Sequence, residues 1–433
     1  FEMNQNNKLL IVDGIKYALT KVLPGLMGFL AVIVLVKMVG AEEYGKYSIL
    51  LSFILTLTAF CGGWLNQSLL RYYSRYSSEP ALAQVLGTGL LLSIVSGLFL
   101  FILYGFLPIT TQLEVVHIGF GLGLLAAVVL FQFQSTLFRA QLRPNMVIGI
   151  TAVQSILALA LPVFLIYKVS PKVNSILAGL AIAYAVPTVG KIFAALYKGK
   201  FVPLVTGGRK GAVRSLLKKF FRFGWPLSCW FTASLAMQFF DRMFIKYFYD
   251  FTQVGIYAGF FDLVVRIFSL LVFPLTLALH PRMMSLWNKA EQQGAIHLWQ
   301  TAMQLQIAVF AGIMVCGAIF YENITIGLQW LFSDLNPAYF HLLPPLAIGG
   351  FIWQFGLLIH KPLELNQQTH LMLAAMIIAV VVNLIGNIFF LPQYGLIATA
   401  YTYFVSGTVY ILFTIMFSRT TFKLIFLKPQ TGR

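Results

Sequence analysis

The stretch KGKFVPLVTGGRKGAVRSLLKKFFR (residues 198–222) holds eight basic residues and no acid: Lys198, Lys200, Arg209, Lys210, Arg214, Lys218, Lys219 and Arg222. It lies near the middle of 433 residues, with long apolar runs on both sides. A helix needs roughly 20 apolar residues to cross a bilayer. Reading outward from the tract with that ruler predicts twelve spans, six on each side. They lie near 15–39, 46–70, 83–107, 115–138, 146–167, 174–197, 223–248, 253–279, 297–320, 338–360, 370–391 and 395–417.

Composition agrees. Hydrophobic residues make up 59% of the chain and charged residues 10%, with a mean hydropathy of +0.84. A soluble domain carries roughly 25% charged residues. So much apolar surface requires lipid as its solvent. The net charge of +17 admits a nucleic-acid partner, but the placement of the cations argues for a positive-inside membrane protein and no nucleic acid. Cys61, Cys229 and Cys316 are scattered singly within apolar runs, so neither a disulfide framework nor a zinc site is expected. The first apolar run is long enough to span and has no small-residue cleavage site after it, so no cleavable signal is expected.

Lysine and arginine in the connections set orientation. With the central tract on the inside, the inner segments hold Arg71, Arg75, Arg139, Arg143, Arg282, Lys289 and Lys361 besides the tail cations Arg419, Lys423, Lys428 and Arg433. The outer segments hold Glu42, Glu43, Glu114, Asp250, Glu322 and Asp334 against Lys37, Lys46, Lys168, Lys172 and Lys246. The alternation places both termini in the cytoplasm. No outer loop exceeds roughly 20 residues, which leaves no room for an outer catalytic domain, and short loops favour antiparallel neighbours.

The halves resemble each other. Gly45-Lys46-Tyr47 opens the second span and Gly255-Ile256-Tyr257 the eighth, 210 positions apart, after spans carrying Pro24 and Pro226. The expected organisation is an N-terminal six-helix lobe (1–197), a basic cytoplasmic linker leading into span seven (198–222) and a C-terminal six-helix lobe (223–433). Parallel repeats of this kind bind substrate between lobes and rock to alternate access.

Ionisable residues inside spans cost about 2.5–3.5 kcal/mol each on insertion scales and mark cavities or partners. Lys21 lies about two turns into the first span; Asp241 and Arg242 lie deep in the seventh; Asp262 and Arg266 share a face of the eighth. Each acid–base pair is either a structural salt bridge or part of a transport path. Asn66, Gln67 and Arg71 approach the inner end of span two, and Gln132, Gln134 and Arg139 that of span four. Arg71 and Arg139 are near enough to the inner surface to snorkel, so each is a topology anchor or a cavity residue. Asn383 and Asn387 suit hydrogen bonds between helices, and His280 and His360 sit at inner helix ends. The in-span excess of Lys21, Arg242 and Arg266, with Arg71 and Arg139, over Asp241 and Asp262 favours an anion. Arginine suits phosphate because its planar fork binds two oxygens. No P-loop, metal box or catalytic array occurs, so no cofactor, no metal and no enzymatic activity are expected. Energy then comes from an ion gradient, the membrane potential or downstream pull, with Asp241 and Asp262 as candidate coupling-ion residues. Tyr17, Trp64 and Trp225 are candidate stacking surfaces for sugar rings.

Several motifs resemble a known family. Residues 14–25 (GIKYALTKVLPG) and 37–47 (KMVGAEEYGKY) look like the opening of Wzx-type polysaccharide and O-antigen flippases of the multidrug/oligosaccharidyl-lipid/polysaccharide (MOP) exporter superfamily. Residues 68–72 (SLLRY), 138–141 (FRAQ), 241–245 (DRMFI), 383–387 (NLIGN) and 391–396 (LPQYGL) resemble that family's span endings and turns, in order and spacing. The resemblance implies an all-α membrane protein, a MATE-like fold of about twelve helices in two lobes around a central cavity. It implies an undecaprenyl-pyrophosphate-linked oligosaccharide as substrate, an O-antigen or exopolysaccharide repeat unit, moved across the bacterial inner membrane. Membrane lipids, a polysaccharide polymerase and a chain-length regulator are the implied partners. Lys21 falls near a functional arginine of related lipid II flippases, with lysine in place of the bidentate fork, and the two extra C-terminal spans of those flippases are absent. On this reading Lys21, Arg71, Arg139, Arg242 and Arg266 line or gate the cavity. Two alternatives stay open. A drug or cation exporter of the same superfamily predicts an acid-dominated cavity. A polysaccharide polymerase or ligase needs a sizeable outer loop.

Overall fold

A computed structural model describes residues 5–106, 115–197, 210–288, 291–332, 335–366 and 368–419. Within these, side chains are described except at 5–21, 115–116, 191–197, 210, 273–278, 280–282, 284–285 and 288. No strand occurs among the described residues. The helices are α1 (Gln5–Tyr76), α2 (Pro80–Gly105), α3 (Val115–Ala140), α4 (Pro144–Lys168), α5 (Val173–Tyr197), α6 (Lys210–Phe248), α7 (Phe251–Asn288), α8 (Gln292–Ile319), α9 (Tyr321–Leu331), α10 (Leu343–Ile359), α11 (Lys361–Leu365), α12 (Thr369–Tyr394) and α13 (Leu396–Phe417). A short 3₁₀ turn, Pro337–Leu342, precedes α10.

Among the described residues, ten stretches are long and apolar enough to cross a membrane. One of them, Val22–Tyr76, carries two of the expected spans, because α1 breaks at Gly40, whose φ of 79° lies in the region that favours glycine. The seventh expected span falls below that apolar threshold, although α6 runs unbroken over it for 39 residues. Ser228, Thr232, Ser234 and Gln238 dilute its hydropathy. Between the ninth and tenth spans the chain forms α9 rather than a bare loop. The chain is an all-α, multi-pass membrane protein.

The chain divides into two compact units, one of Leu26–Gly255 and one of Phe1–Gly25 with Ile256–Arg433. In the first, α2 packs on α3 and α6, and α3 and α4 both pack on α5. Trp64, Leu65, Leu69, Leu82, Val85, Phe133, Leu216 and Phe220 form a buried cluster joining α1, α2, α3 and α6. The flank of α2 turned away from this cluster is also apolar, with Leu91 62% and Phe99 59% exposed, a surface suited to lipid.

The Gly-x-Tyr repeat has a structural cause in this unit. A Cβ on Gly45 would stand 2.0 Å from the Phe251 carbonyl oxygen, and one on Gly255 would stand 1.7 Å from that of Ala41. Ala41 and Phe251 are themselves 210 positions apart, as are the two glycines. The repeat therefore marks a crossing in which each copy's glycine receives the other copy's backbone.

In the second unit α10 packs on α8 and α13, and α12 packs on α13. Leu279, Met283, Trp299, Ala302, Met303, Leu358 and Ile359 form its buried cluster. The Trp299 indole N–H donates to the Leu358 carbonyl at 2.8 Å. One residue, Gly395, links α12 to α13, and its φ of 71° again calls for glycine.

Candidate functional site

The polar groups inside the spans fall in both units. In the Leu26–Gly255 unit, Asp241 is fully buried and Arg242 is 5% exposed, in the C-terminal half of α6. Neither is without a partner. A charge buried to this extent is tolerated only when paired or hydrogen-bonded. Beside them Phe239 packs on Phe53 and Tyr104, with centroids 4.9 and 5.9 Å apart, and the Tyr104 hydroxyl lies 3.5 Å from the Met243 sulfur.

A second group lies toward the C-terminal ends of α1 and α3. Gly62 meets Val129, and the Gln141 amide donates to the Tyr73 hydroxyl at 3.1 Å. That register sets Asn66 level with Gln134. Asn66 Oδ1 and Gln134 Oε1 are both buried without a hydrogen-bond partner among the described residues. A buried acceptor left unsatisfied costs about 1–3 kcal/mol. Two at one level mark a place that receives donors from elsewhere. One turn beyond, half-buried Arg139 donates from Nη2 to Thr136 Oγ1 at 3.2 Å. Its charge also suits the C-terminus of α3. No Asp or Glu occurs from residue 44 to residue 78 or from 115 to 240, so α1 and α3 offer no carboxylate at that level.

Arg71 is exposed near the C-terminal end of α1, with its guanidinium 5.0 Å from the Phe223 ring centre. Trp64 belongs to the buried cluster, and half-buried Trp225 stacks on Phe221 at 5.3 Å. Lys21 lies in α1, and Tyr17 with it, but both side chains are outside the described residues, as is that of His280. In the other unit Asp262 and Arg266 lie one turn apart on α7, both half-buried.

Asn383 and Asn387 are fully buried, and the Asn387 amide donates to the Asn383 carbonyl at 3.1 Å within α12. His360, expected at the interface, is instead 4% exposed, because α10 runs straight into α11 and folds the ring under it. Its Nδ1 lies 2.9 Å from the Tyr410 hydroxyl and its Nε2 3.9 Å from Glu364. Lys361, expected among the cations of an inner segment, is buried and pairs with Glu364 at 2.5 Å.

Just beyond the Gly40 break in α1, Glu43 does something the sequence did not announce. Its Oε2 accepts the Val173 backbone N–H at 2.7 Å, capping α5, while Oε1 accepts from Lys46 at 2.6 Å. Burial alone would raise the Glu43 carboxyl, but these hydrogen bonds and the nearby positive charge together hold it below its ordinary value. Among the described residues no group of three or more His, Cys, Asp or Glu is placed to hold a metal.

Helix order, the bent first helix and in-span polar groups on several helices make a polytopic all-α membrane protein, and its fold is that of MOP-superfamily proteins of known structure. The likeness to solved structures covers nearly the whole chain. A lipid II flippase, MurJ, in an inward closed conformation matches with a TM-score of 0.71 at 16% identity, covering 95% of this chain and 90% of that one. An inward-facing multidrug-resistance MATE transporter of the MOP superfamily matches at 0.66 and 13% identity, covering 98% and 100%. A membrane protein of Methanocaldococcus jannaschii is 22% identical over 392 residues, 83% of this chain and 74% of its own length. Residues 11–287 match the model of the polysaccharide biosynthesis protein family, and the chain belongs to that family.

Proposed function

We propose that the chain is a flippase that carries an undecaprenyl-pyrophosphate-linked oligosaccharide, an O-antigen or exopolysaccharide repeat unit, from the cytoplasmic to the outer leaflet of a bacterial cytoplasmic membrane. Family membership supports the pathway, and likeness to a lipid II flippase supports the substrate class. The observation that carries the reading is the pair of unpartnered oxygens of Asn66 and Gln134 near Arg139, on stretches (44–78 and 115–140) that hold no Asp or Glu. Sugar hydroxyls are donors that satisfy amide oxygens, and a guanidinium suits the pyrophosphate. Such a site disfavours the organic cations of a drug exporter.

In this proposal 1–197 and 223–433 are the two lobes, 198–222 is their cytoplasmic linker, and both termini are cytoplasmic. Lys21, Arg139, Arg242 and Arg266 meet the anionic part of the substrate along its path. Asp241 and Asp262 answer to a coupling ion. A polymerase and a chain-length regulator receive the product.

The test separates function from folding. Replacing Asn66 and Gln134 by leucine removes two unsatisfied acceptors, so thermal stability of the purified protein holds or rises. Flipping of the lipid-linked oligosaccharide in proteoliposomes falls at least tenfold. Full transport in the double variant would remove these residues from the path. Cells depleted of the protein accumulate the lipid-linked oligosaccharide in the inner leaflet; normal export without it overturns the function itself. Resistance to organic cations conferred by the wild type favours the drug-exporter alternative.

A further inference from the structure

Three cations at the inner end of the Leu26–Gly255 unit are held by aromatic faces. The Arg71 guanidinium lies 5.0 Å from the Phe223 ring centre and that of Arg75 lies 5.7 Å from Tyr76. The Lys219 ammonium lies 5.1 Å from both Tyr72 and Tyr76, and donates to the Tyr76 hydroxyl at 2.7 Å. Ser68 Oγ donates to the Phe220 carbonyl, and Tyr72 packs on Phe220 at 5.5 Å, so α1 and α6 are in direct contact here.

The manner of holding matters. A carboxylate partner would neutralise a cation, whereas a ring face positions it and leaves its charge in place. Among the described residues none of the three has a carboxylate partner. The acid nearest in sequence to the α1 cations is Glu79, and α6 has none before Asp241. Arg71 and Arg75 are exposed, so their remaining N–H groups face outward from the protein.

The level is that of lipid headgroups. At about 1.5 Å per residue, the 39 residues of α6 make a rod of about 58 Å, against roughly 30 Å of hydrocarbon. The excess lies at its basic N-terminal end, before the apolar span begins. There Val213, Leu216 and Phe220 face the protein while Arg214, Lys218 and Arg222 face out. Leu70 and Phe221, 43% and 46% exposed, flank the cations and offer apolar contact to acyl chains. A cationic surface with apolar flanks is what an amphiphile with an anionic head requires.

We infer that Arg71, Arg75 and Lys219, set on Tyr72, Tyr76 and Phe223, form a binding site for the phosphate headgroup of an anionic phospholipid in the cytoplasmic leaflet. The site is separate from the transport path proposed for Asn66 and Gln134 and binds lipid whether or not substrate is present. On this assignment Arg71 serves the lipid rather than the sugar carrier.

The experiment uses the full chain in phosphatidylcholine nanodiscs with or without phosphatidylglycerol, with bound phosphatidylglycerol read by native mass spectrometry after detergent release. Each Arg or Lys to Gln change at the three positions weakens phosphatidylglycerol binding about fivefold, corresponding to about 1 kcal/mol per cation. Tyr76→Phe keeps the ring and retains most binding, whereas Tyr76→Leu does not. Neutralising Lys198, Lys200 and Arg209 instead removes the same charge and leaves binding nearly intact. Wild-type binding by a folded R71Q/R75Q/K219Q variant overturns the inference. So does an equal loss in the tract variant, which would show that only net charge matters. Loss of binding to a polyprenyl diphosphate with phosphatidylglycerol binding unchanged also overturns it, by giving the cations to the substrate.

Discussion

Replacing Gly255 by alanine sets a methyl group against the backbone of α1. The added Cβ stands 1.7 Å from the Ala41 carbonyl oxygen and 2.6 Å from its carbon. Reaching even 3.0 Å requires the two helices to part by about 1.3 Å at this crossing. Backbone has no rotamer by which to yield. Overpacking in tight interiors costs about 1–3 kcal/mol, and a backbone obstacle belongs at the upper end. Against this, alanine gains about 1 kcal/mol over glycine within a helix. The expected net destabilisation is about 2 kcal/mol. Gly45→Ala, 2.0 Å from the Phe251 carbonyl, behaves alike, and the double variant costs less than the sum because one separation relieves both clashes. At Gly123 an added methyl meets nothing within 4 Å, and the sign reverses: G123A melts at or above wild type. The assay is the apparent melting temperature of purified protein in detergent. A G255A variant as stable as wild type, or strictly additive costs in the double variant, would refute the account of the repeat as a reciprocal backbone crossing.

Two further predictions concern helix ends. Because the Glu43 carboxyl is held below its ordinary value, its contribution is complete above the ordinary carboxylate range and is lost as pH falls through the lowered value. Melting curves of wild type and Glu43→Gln therefore converge as pH falls below the ordinary carboxylate range; a gap independent of pH contradicts the capping role. Leu142, the single described non-glycine with positive φ (54°), closes α3: Arg143 N–H donates to the Phe138 carbonyl and Leu142 N–H to that of Arg139. That position favours glycine, and Leu142 is 82% exposed, so Leu142→Gly should stabilise by about 1 kcal/mol rather than destabilise. A lower melting temperature would show that the exposed leucine makes a contact worth more than the backbone strain.

What was legible in the sequence follows from what lipid demands of it. Apolar length located the helices, because a bilayer imposes that length on each. The paired glycines at 45 and 255 marked a repeat, although their contact became visible only in three dimensions. Hydropathy weakened at α6, where Ser228 donates to the Ala59 carbonyl at 2.6 Å and helix–helix polar contacts replace apolar side chains. The burial of His360 and Lys361 was hidden because it depends on α11 continuing the direction of α10, a property of one turn. Asn66 and Gln134 could be named from sequence, but their lack of partners could not, since satisfaction depends on every neighbouring helix. The ring-held cations were visible in part: Arg71-Tyr72-Tyr73-Ser74-Arg75-Tyr76 alternates charge and aromatic, but Lys219 is 143 residues from its tyrosine.

The one-residue link at Gly395 bears on how the protein is made. With α12 ending at Tyr394 and α13 beginning at Leu396, there is no hydrophilic segment for the insertion machinery to carry across alone. The two helices must leave the translocon together as a preformed hairpin. Asn383 and Asn387, both fully buried in the finished protein, then enter the bilayer with α13 already alongside rather than facing acyl chains first. A bulky residue at 395 would be felt during biosynthesis, as material degraded before assembly, more than in the transport rate of the molecules that escape.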